Sequence, residues 1–577
     1  MNVFSDNLAA PFDMADVVVA YLNQLEVEYI FGVPGGAIEP LYNAIARQEK
    51  RGGVRHVLAR HETGAAFMAE GYARETGKLG VCCATSGPGV TNMITGVANA
   101  NANRVPVLAI TGQPSLKSFG RNALQESSCT GIDVVAMMSH CTQYSTLISH
   151  PAQIENKFIS AVSHSLRGAR GASHLSVPND IFRMPSEHGS PLYKLERERM
   201  VSHHYAPSDV INLFHTITNS QNPVVLVGAH AGPAIPEIMS FVKENNIPFV
   251  STPDGKGFVD INSPLYCGVV GFSGHQSAME TVNDPAVDLL IAIGATIGEL
   301  NTGGWSAGIL NEHLVIIDEC DQNLMRAPMA KLQMHGNTSA IMRGLNTMIN
   351  LMPMRFRGNT HGPVTITDFV CSVSDDTPIK PQRLMRELSS MFPSNTRFFA
   401  DNGNSFSWAI HHLNPGIMTS NHLSRGWLHV TTEFASMGWA IGTSVGAAMA
   451  NPESPVVCIT GDGSMLMSGQ ELSTAVAERI PMIFVVLNDS TLGMVYHGQK
   501  MGGAEPIATD IPVTNFAAIA QAMGAQSFVI NSAVDLEALN IKALLAHNGP
   551  TLLDVRIDRE EVPPMKSRVA VLTDTVE

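Results

Sequence analysis

No stretch of this chain approaches the roughly 18 consecutive apolar residues that a helical membrane span requires, and charged residues are sparse, at 15%. The first absence argues against a membrane partner. The second, with a net charge of -15, argues against a surface built for nucleic acid. The eight cysteines include no CxxC pair, so neither a thiolate metal site nor a disulfide framework is indicated, and they read as reduced thiols held mostly in the core. The opening residues, MNVFSDNLAAPFDMADVVVAYL, have acidic but no basic residues. They lack the pattern of a signal or transit peptide, and a cytoplasmic protein is expected.

What is present is ample apolar material, 45% of 577 residues, enough for three or four domains at roughly 150 residues each. Strand-like runs that end in glycine-rich or acidic turns before helix-like stretches recur along the chain: KLGVCCATSGPGVTN and VPVLAITGQ early, NPVVLVGAHAG and AVDLLIAIGA in the middle, PVVCITGDGS late. This alternation predicts an α/β fold of three consecutive doubly wound parallel-sheet domains, over residues 1–185, 205–350 and 379–577. The polar stretch Leu192 to Ser208, with His203 and His204, reads as a first linker. The aperiodic stretch from about 350 to 378 reads as a second.

The stretch Pro455 to Met494 concentrates the chemistry. Two apolar runs, Pro455 to Thr460 and Met482 to Leu487, bracket a helical segment, as in a β-α-β unit. The first ends in Gly461-Asp462-Gly463-Ser464 and the second in Asn488-Asp489. Parallel strands open their carboxyl ends on one edge, so Asp462 and Asp489 are expected to face one site. Glycines beside Asp462 permit close approach of an anion, and the N–H groups of the following helix favour phosphate. Hard oxygen ligands suit Mg2+ bridging a carboxylate to a diphosphate.

These residues resemble the signature of the thiamine diphosphate (ThDP) enzymes, and nearly the whole chain resembles their acetohydroxyacid synthase group. The resemblance names the three blocks as pyrimidine-binding, central and diphosphate-binding domains. It implies Mg2+ on Asp462, Asp489 and the Thr491 carbonyl, with Asp489 replacing the family's usual asparagine. In the first block, ARHETGAAF places Glu62 at the catalytic glutamate of the family's RHE motif, where it would exchange a proton with the cofactor's aminopyrimidine. FGVPGG, with Pro34 and Gly35, and TSGPGVTN, with Thr85 and Asn92, match further cofactor-binding stretches. In the third block the resemblance implies cofactor contacts from Gly403, Asn404, Ser405, Gly461, Gly463, Ser464 and Met494, with Met437 as the apolar wedge beneath the cofactor. The family's glutamate serves a cofactor held by another subunit, so a homodimer or homotetramer with active sites at the subunit interface is implied.

The loop GQPSLKSFGRNALQES contains no histidine, whereas simple decarboxylases of the superfamily carry a His-His pair there. Gln125 instead resembles the glutamine that lines the synthases' substrate pocket, beside Gln113. The resemblance therefore implies a carboligase that decarboxylates pyruvate or a related 2-oxo acid and joins the fragment to a second carbonyl compound. A 2-oxo acid decarboxylase, or a specialised synthase with another donor or acceptor, is the alternative. Several positions depart from the synthases. Gln143 stands for a lysine, and Gly498 for a tryptophan near the acceptor pocket. ATIGEL and GFSG replace the two turns that hold FAD, which weighs against a flavin. The tail REEVPPMKSRVAV resembles the family's closing segment.

Overall fold

The structure is a computed structural model, and it describes residues 12–200, 203–360, 362, 364, 370–416 and 423–573. Its strands follow directly from composition. Runs such as VVCITG and IFVVLN are apolar and β-branched without polar alternation, so both faces need cover, which helices on each side of a parallel sheet supply. The described strands form three sheets of six, and every pairing in them is parallel. Among the described residues, no helix is long and apolar enough to cross a membrane.

The chain separates into two compact units, Met1–Val201 and Ser202–Glu577. The first holds β1 (Tyr29–Gly32), β2 (Arg55–Leu58), β3 (Gly80–Ala84), β4 (Val107–Gln113), β5 (Tyr144–Leu147) and β6 (Ala172–Pro178). Their order across the sheet is β2-β1-β3-β4-β6-β5. The winding reverses between β1 and β3, and the crevice beyond their carboxyl ends is where such sheets bind ligands. Leu195 and Met200, from the stretch expected to be a linker, are buried in this unit's core. The Tyr193 N–H donates to the Tyr21 hydroxyl and the Leu195 N–H to Gln24. Residues 192–200 are thus a strap on the first unit, while residues 203–208 belong to the second, where the His204 carbonyl accepts from the Asn337 N–H. The strap's two apolar anchors are too few to show as periodicity.

The second unit holds two sheets. The central one comprises β7 (Pro223–Val227), β8 (Phe249–Ser251), β9 (Tyr266–Val269), β10 (Leu289–Ile293), β11 (Leu314–Asp318) and β12 (Leu332–His335), in the order β12-β11-β10-β7-β8-β9. The last comprises β13 (Arg397–Ala400), β14 (Leu428–His429), β15 (Val456–Gly461), β16 (Ile483–Asn488), β17 (Gln526–Ile530) and β18 (Thr551–Arg556), ordered β14-β13-β15-β16-β18-β17. Its winding repeats that of the first sheet strand for strand. The central sheet reverses between β7 and β10, but there the chain closes on itself: a Cβ on Gly228 would lie 2.3 Å from the Gly294 carbonyl oxygen. Part of the second expected linker, at 361, 363 and 365–369, lies outside the described residues. All eight cysteines are free, and five are buried, Cys129 being exposed.

The two sheets of the second unit share one core and a buried cation. Lys256, fully buried, donates from Nζ to the carbonyl oxygens of Ile410 and Leu413, each at 2.7 Å, and of Ala409 at 3.3 Å. It thereby satisfies the carboxyl end of the helix Asn404–His412. Burial pulls its ammonium down to about 7. Replacing Lys256 with Met would leave those carbonyls without this donor, and a loss of about 1–3 kcal/mol is expected, read as a lower denaturation midpoint; an unchanged midpoint would contradict the capping role.

Candidate active site

In the second unit, the turns after β13, β15 and β16 converge on a cavity of about 560 Å³. Asp401, fully buried at the end of β13, organises the turn opposite. Its carboxylate accepts from the N–H groups of Gly438 (2.8 Å) and Ala440 (3.1 Å) and from the Thr460 hydroxyl (3.2 Å). Asn402 donates to the Ser436 carbonyl at 2.8 Å. Together they hold the loop that carries Met437 on the cavity wall. Asp401 also caps the helix Trp439–Ala450 through its side chain.

Two other helices end at the cavity without such a cap. The helices Asn404–His412 and Gly493–Met501 start at Gly403 and Leu492, neither of which makes a side-chain cap bond among the described residues. Their first N–H groups and the helix dipoles favour an anion there. The two starts are closely packed: a Cβ on Gly493 would lie 2.4 Å from Asn404 Nδ2 and 3.2 Å from Asp489 Oδ2. Glycine is required by that approach. The Oδ1 atoms of Asn402 and Asn404 are buried without a partner among the described residues.

The acid pair sits beside these donors. Asp462 is 3% exposed, and its oxygens accept from the N–H groups of Gly463 and Ser490, both at 2.7 Å. Asp489 accepts from the Thr491 N–H at 3.0 Å. Asn488 points away, donating to Asp554 (2.8 Å) and the Thr514 carbonyl (3.0 Å), so the second acid comes from position 489. Burial pushes Asp462 up to about 6, against the pull of its backbone donors. Burial, then the charge of Asp462, pushes Asp489 up to about 7. Two carboxylates so placed call for a counter-cation. Among the described residues no group of three or more His, Cys, Asp or Glu could hold a metal. The two carboxylates, as hard oxygen donors, suit Mg2+, which is commonly held by one or two carboxylates plus substrate phosphates.

Of the residues expected in the third block, Gly403, Asn404, Ser405, Met437, Gly461, Asp462, Gly463, Ser464, Asp489, Thr491 and Met494 all line this cavity. Gly498 is not among its lining residues; Met565 Cε lies 3.7 Å from where its Cβ would be. Cavity residues that sequence reasoning missed include Phe272, Glu299, Phe434 and Arg568. The signal for Arg568 was available as the cation of the PPMKSR tail, but its partner Glu299 lies in a different block.

The first unit holds a second cluster, at the carboxyl ends of β1, β2 and β3. Glu62 begins the helix Glu62–Thr76, is 8% exposed, and its Oε2 accepts from Asn92 Nδ2 at 3.1 Å. A Cβ on Gly89 would meet Glu62 Oε1 at 3.4 Å and Thr85 Cγ2 at 3.1 Å, and one on Gly35 would meet Thr85 Cβ at 2.6 Å. Glu62, Thr85, Asn92 and Gly35 are thus neighbours, with Pro34 exposed beside them. Gln125 is exposed, with φ +58°, and its backbone rests on Gly87. Gln113 is buried and bonded through both ends of its amide to Ser127, so it tethers the loop.

First and third sheets wound alike, a central sheet between them in sequence, and a pocket with an acid pair beside helix N-termini without side-chain caps are features of a three-domain enzyme built around a diphosphate cofactor. Comparison with known proteins agrees. Residues 12–137 match the N-terminal TPP binding domain of thiamine pyrophosphate enzymes, 210–345 the central domain and 401–555 the C-terminal TPP binding domain. The large subunit of acetolactate synthase isozyme 2 from Escherichia coli is 33% identical, across 97% of this chain and 99% of its own length. Acetolactate synthase of Arthrospira platensis is 30% identical, across 95% and 94%, and the large subunit from Cyanidium caldarium 29%, across 97% and 96%. The chain belongs to the thiamine diphosphate-dependent enzymes, within their acetolactate synthase group.

The acid pair makes the cofactor-free protein sensitive to pH. Folded-state values above the usual 3.8 mean that the folded chain binds more protons than the unfolded one, so this pair's stabilising contribution is full below about pH 4 and lost as pH rises through 6 to 7. Asp489→Asn is expected to stabilise the cofactor-free protein at pH 8 by on the order of 2 kcal/mol. Thermal unfolding at pH 8 and pH 5 checks it: the gain should shrink at pH 5, and a gain equal at both would contradict the assignment.

Proposed function

We propose that this enzyme is a ThDP- and Mg2+-dependent carboligase that decarboxylates pyruvate, or a related 2-oxo acid, and joins the two-carbon unit to a second carbonyl compound, giving acetolactate when both substrates are pyruvate. The observation that carries the proposal is the convergence of Asp462 and Asp489 on one cavity, beside two helix N-termini without side-chain caps. Asp462, Asp489 and the Thr491 carbonyl would hold Mg2+. N–H groups at Gly403, Asn404, Ser405 and Ser464 would hold the diphosphate, with Gly461 and Gly463 giving it room. Met437 and Met494 would support the rings. When bound, the cofactor supplies a nucleophilic carbon and a sink for the electrons released with carbon dioxide.

Glu62 would hold and pass the proton at the aminopyrimidine nitrogen. The Asn92 amide on Oε2 fixes the carboxyl's orientation and leaves Oε1 for that exchange. Gln125 would contribute to the substrate pocket. Support for a synthase comes from the relatives' names and from the loop's lack of histidine. A reading without flavin is supported by the packing of the two turns that would hold it: a Cβ on Gly271 of GFSG would lie 2.3 Å from the Leu300 carbonyl oxygen of ATIGEL.

Incubation with ThDP, Mg2+ and pyruvate, followed by NMR of the products, should show acetolactate, and Glu62→Gln should lower kcat at least about 100-fold. Acetaldehyde alone would point to a decarboxylase, and equal activity of the variant would remove Glu62 from the mechanism.

Glu62 lies on the first unit and the acid pair on the second, and the proposal includes a homodimer or a homotetramer built from such dimers, in which one subunit's Glu62 serves the cofactor held by its partner. Mixing inactive Glu62→Gln and Asp462→Ala chains under conditions of subunit exchange should then restore about a quarter of wild-type activity. Half the dimers are hybrids, and each hybrid has one intact site of two. No recovery after verified exchange would place both residues of a site on one chain.

A further inference from the structure

The cavity of the second unit is poor in positive charge for an enzyme acting on anionic substrates. Its described lining includes the carboxylates of Glu299, Glu433, Asp462 and Asp489, and a single cationic side chain, Arg568. We infer that Arg568 is the receptor for the substrate carboxylate, a specificity-determining contact for 2-oxo acids supplied by the C-terminal helix. This inference rests on the function proposed above.

Arg568 lies on the helix Lys566–Thr573, whose position is set on both sides. Met565 and Val569 are buried in the second unit's core. Met565 Cε reaches to 3.7 Å of the Cβ position of Gly498, and Val571 Cγ2 to 2.7 Å of that of Gly304. The helix therefore packs against both the region after β10 and the helix Gly493–Met501, and it presents Arg568 as part of the cavity wall rather than as a free surface charge. There the Nη1 group donates to Glu299 Oε1, while Arg326 lies 4.0 Å from the neighbouring acid, Glu433. Arg568 is thus the partner of Glu299.

A guanidinium has five N–H donors in a planar fork that matches a carboxylate in two-point contact. Among the described residues the side-chain contact of the fork is the one from Nη1 to Glu299, and a guanidinium has further N–H donors for a second carboxylate. The Glu299 carboxylate marks what the fork accepts. The site is also separate in origin from the diphosphate end. Glu299 follows β10 of the central sheet, with Phe272 and Leu300 of that sheet's turns beside it on the lining, whereas Asp462 and Asp489 follow β15 and β16. Phe272 stacks on Phe406 at 5.1 Å between centroids, giving an apolar surface on which a short 2-oxo acid chain can lie while Arg568 takes its charge. A neutral aldehyde or ketone would gain nothing from that arginine. The discrimination expected from one charge-assisted two-point contact is about 10- to 100-fold.

The test compares wild-type holoenzyme with Arg568→Met and Arg568→Lys. Measured quantities are KM and kcat for pyruvate, KM for a neutral aldehyde acceptor, ThDP affinity, and calorimetric binding of oxamate, an unreactive carboxylate of pyruvate's size. For Arg568→Met, the pyruvate KM should rise about 10- to 100-fold and oxamate binding weaken equally, with ThDP affinity and the aldehyde KM unchanged; Lys should restore part of the loss. Unchanged pyruvate KM and oxamate affinity would overturn the inference. So would an equal rise for the aldehyde, or a fall in ThDP affinity, which would assign Arg568 to the cofactor. A wild-type protein that turned over no 2-oxo acid would overturn the proposed function instead, and oxamate binding would still decide the role of Arg568.

Discussion

Asp462 and Asp489 stand at the ends of neighbouring parallel strands, both desolvated, and each carboxylate disfavours ionisation of the other. Arg559 is the cation whose charge opposes this at Asp489, and burial outweighs it. The surroundings are arranged to tolerate rather than cancel that repulsion: backbone N–H groups from Gly463, Ser490 and Thr491 stabilise the charged forms, and helix N-termini without side-chain caps stand beside them. A pocket of this kind is under electrostatic stress, which the dication and diphosphate of the proposed function would relieve. Stability forgone in the unliganded chain thus reappears as affinity.

The same economy explains the buried polar residues that take no part in chemistry. Asp401 stitches the end of β13 to the loop before the helix Trp439–Ala450 and to Thr460 on β15. Lys256 closes the far end of the helix Asn404–His412, whose start faces the cavity. Each desolvated charge is matched by several oriented backbone dipoles, which is how a buried ion is kept without an ion partner. Rigidity at both ends of one helix is the result, and its amino end is where an anion would sit.

The three-sheet plan was legible because parallel strands buried on both faces announce themselves as apolar, β-branched runs, and because the turns that end them need glycine. Asp462 and Asp489 were legible for the same reason, since a strand's carboxyl end is easily located. The Glu299–Arg568 pair was not: its members lie 269 residues apart, on two short helices, and nothing in either stretch alone shows that they meet. Leu195 and Met200 anchor their strap with two side chains, too few for a periodic signal. Gln113 shows the converse limit. A residue in a suggestive motif can be fully committed to holding a loop.

The first and last sheets share one strand order, second-first-third-fourth-sixth-fifth, while the central sheet does not. Each of these two sheets presents the turns after its first and third strands at its crevice. In one sheet those turns read VPGG and TSGP, in the other DNGN and GDGS. The two share a frame and differ at its lip, one lip poor in charge and the other rich in oxygen ligands. The chemistry of either lip therefore rests on a few turn residues that can change with no alteration to either hydrophobic core.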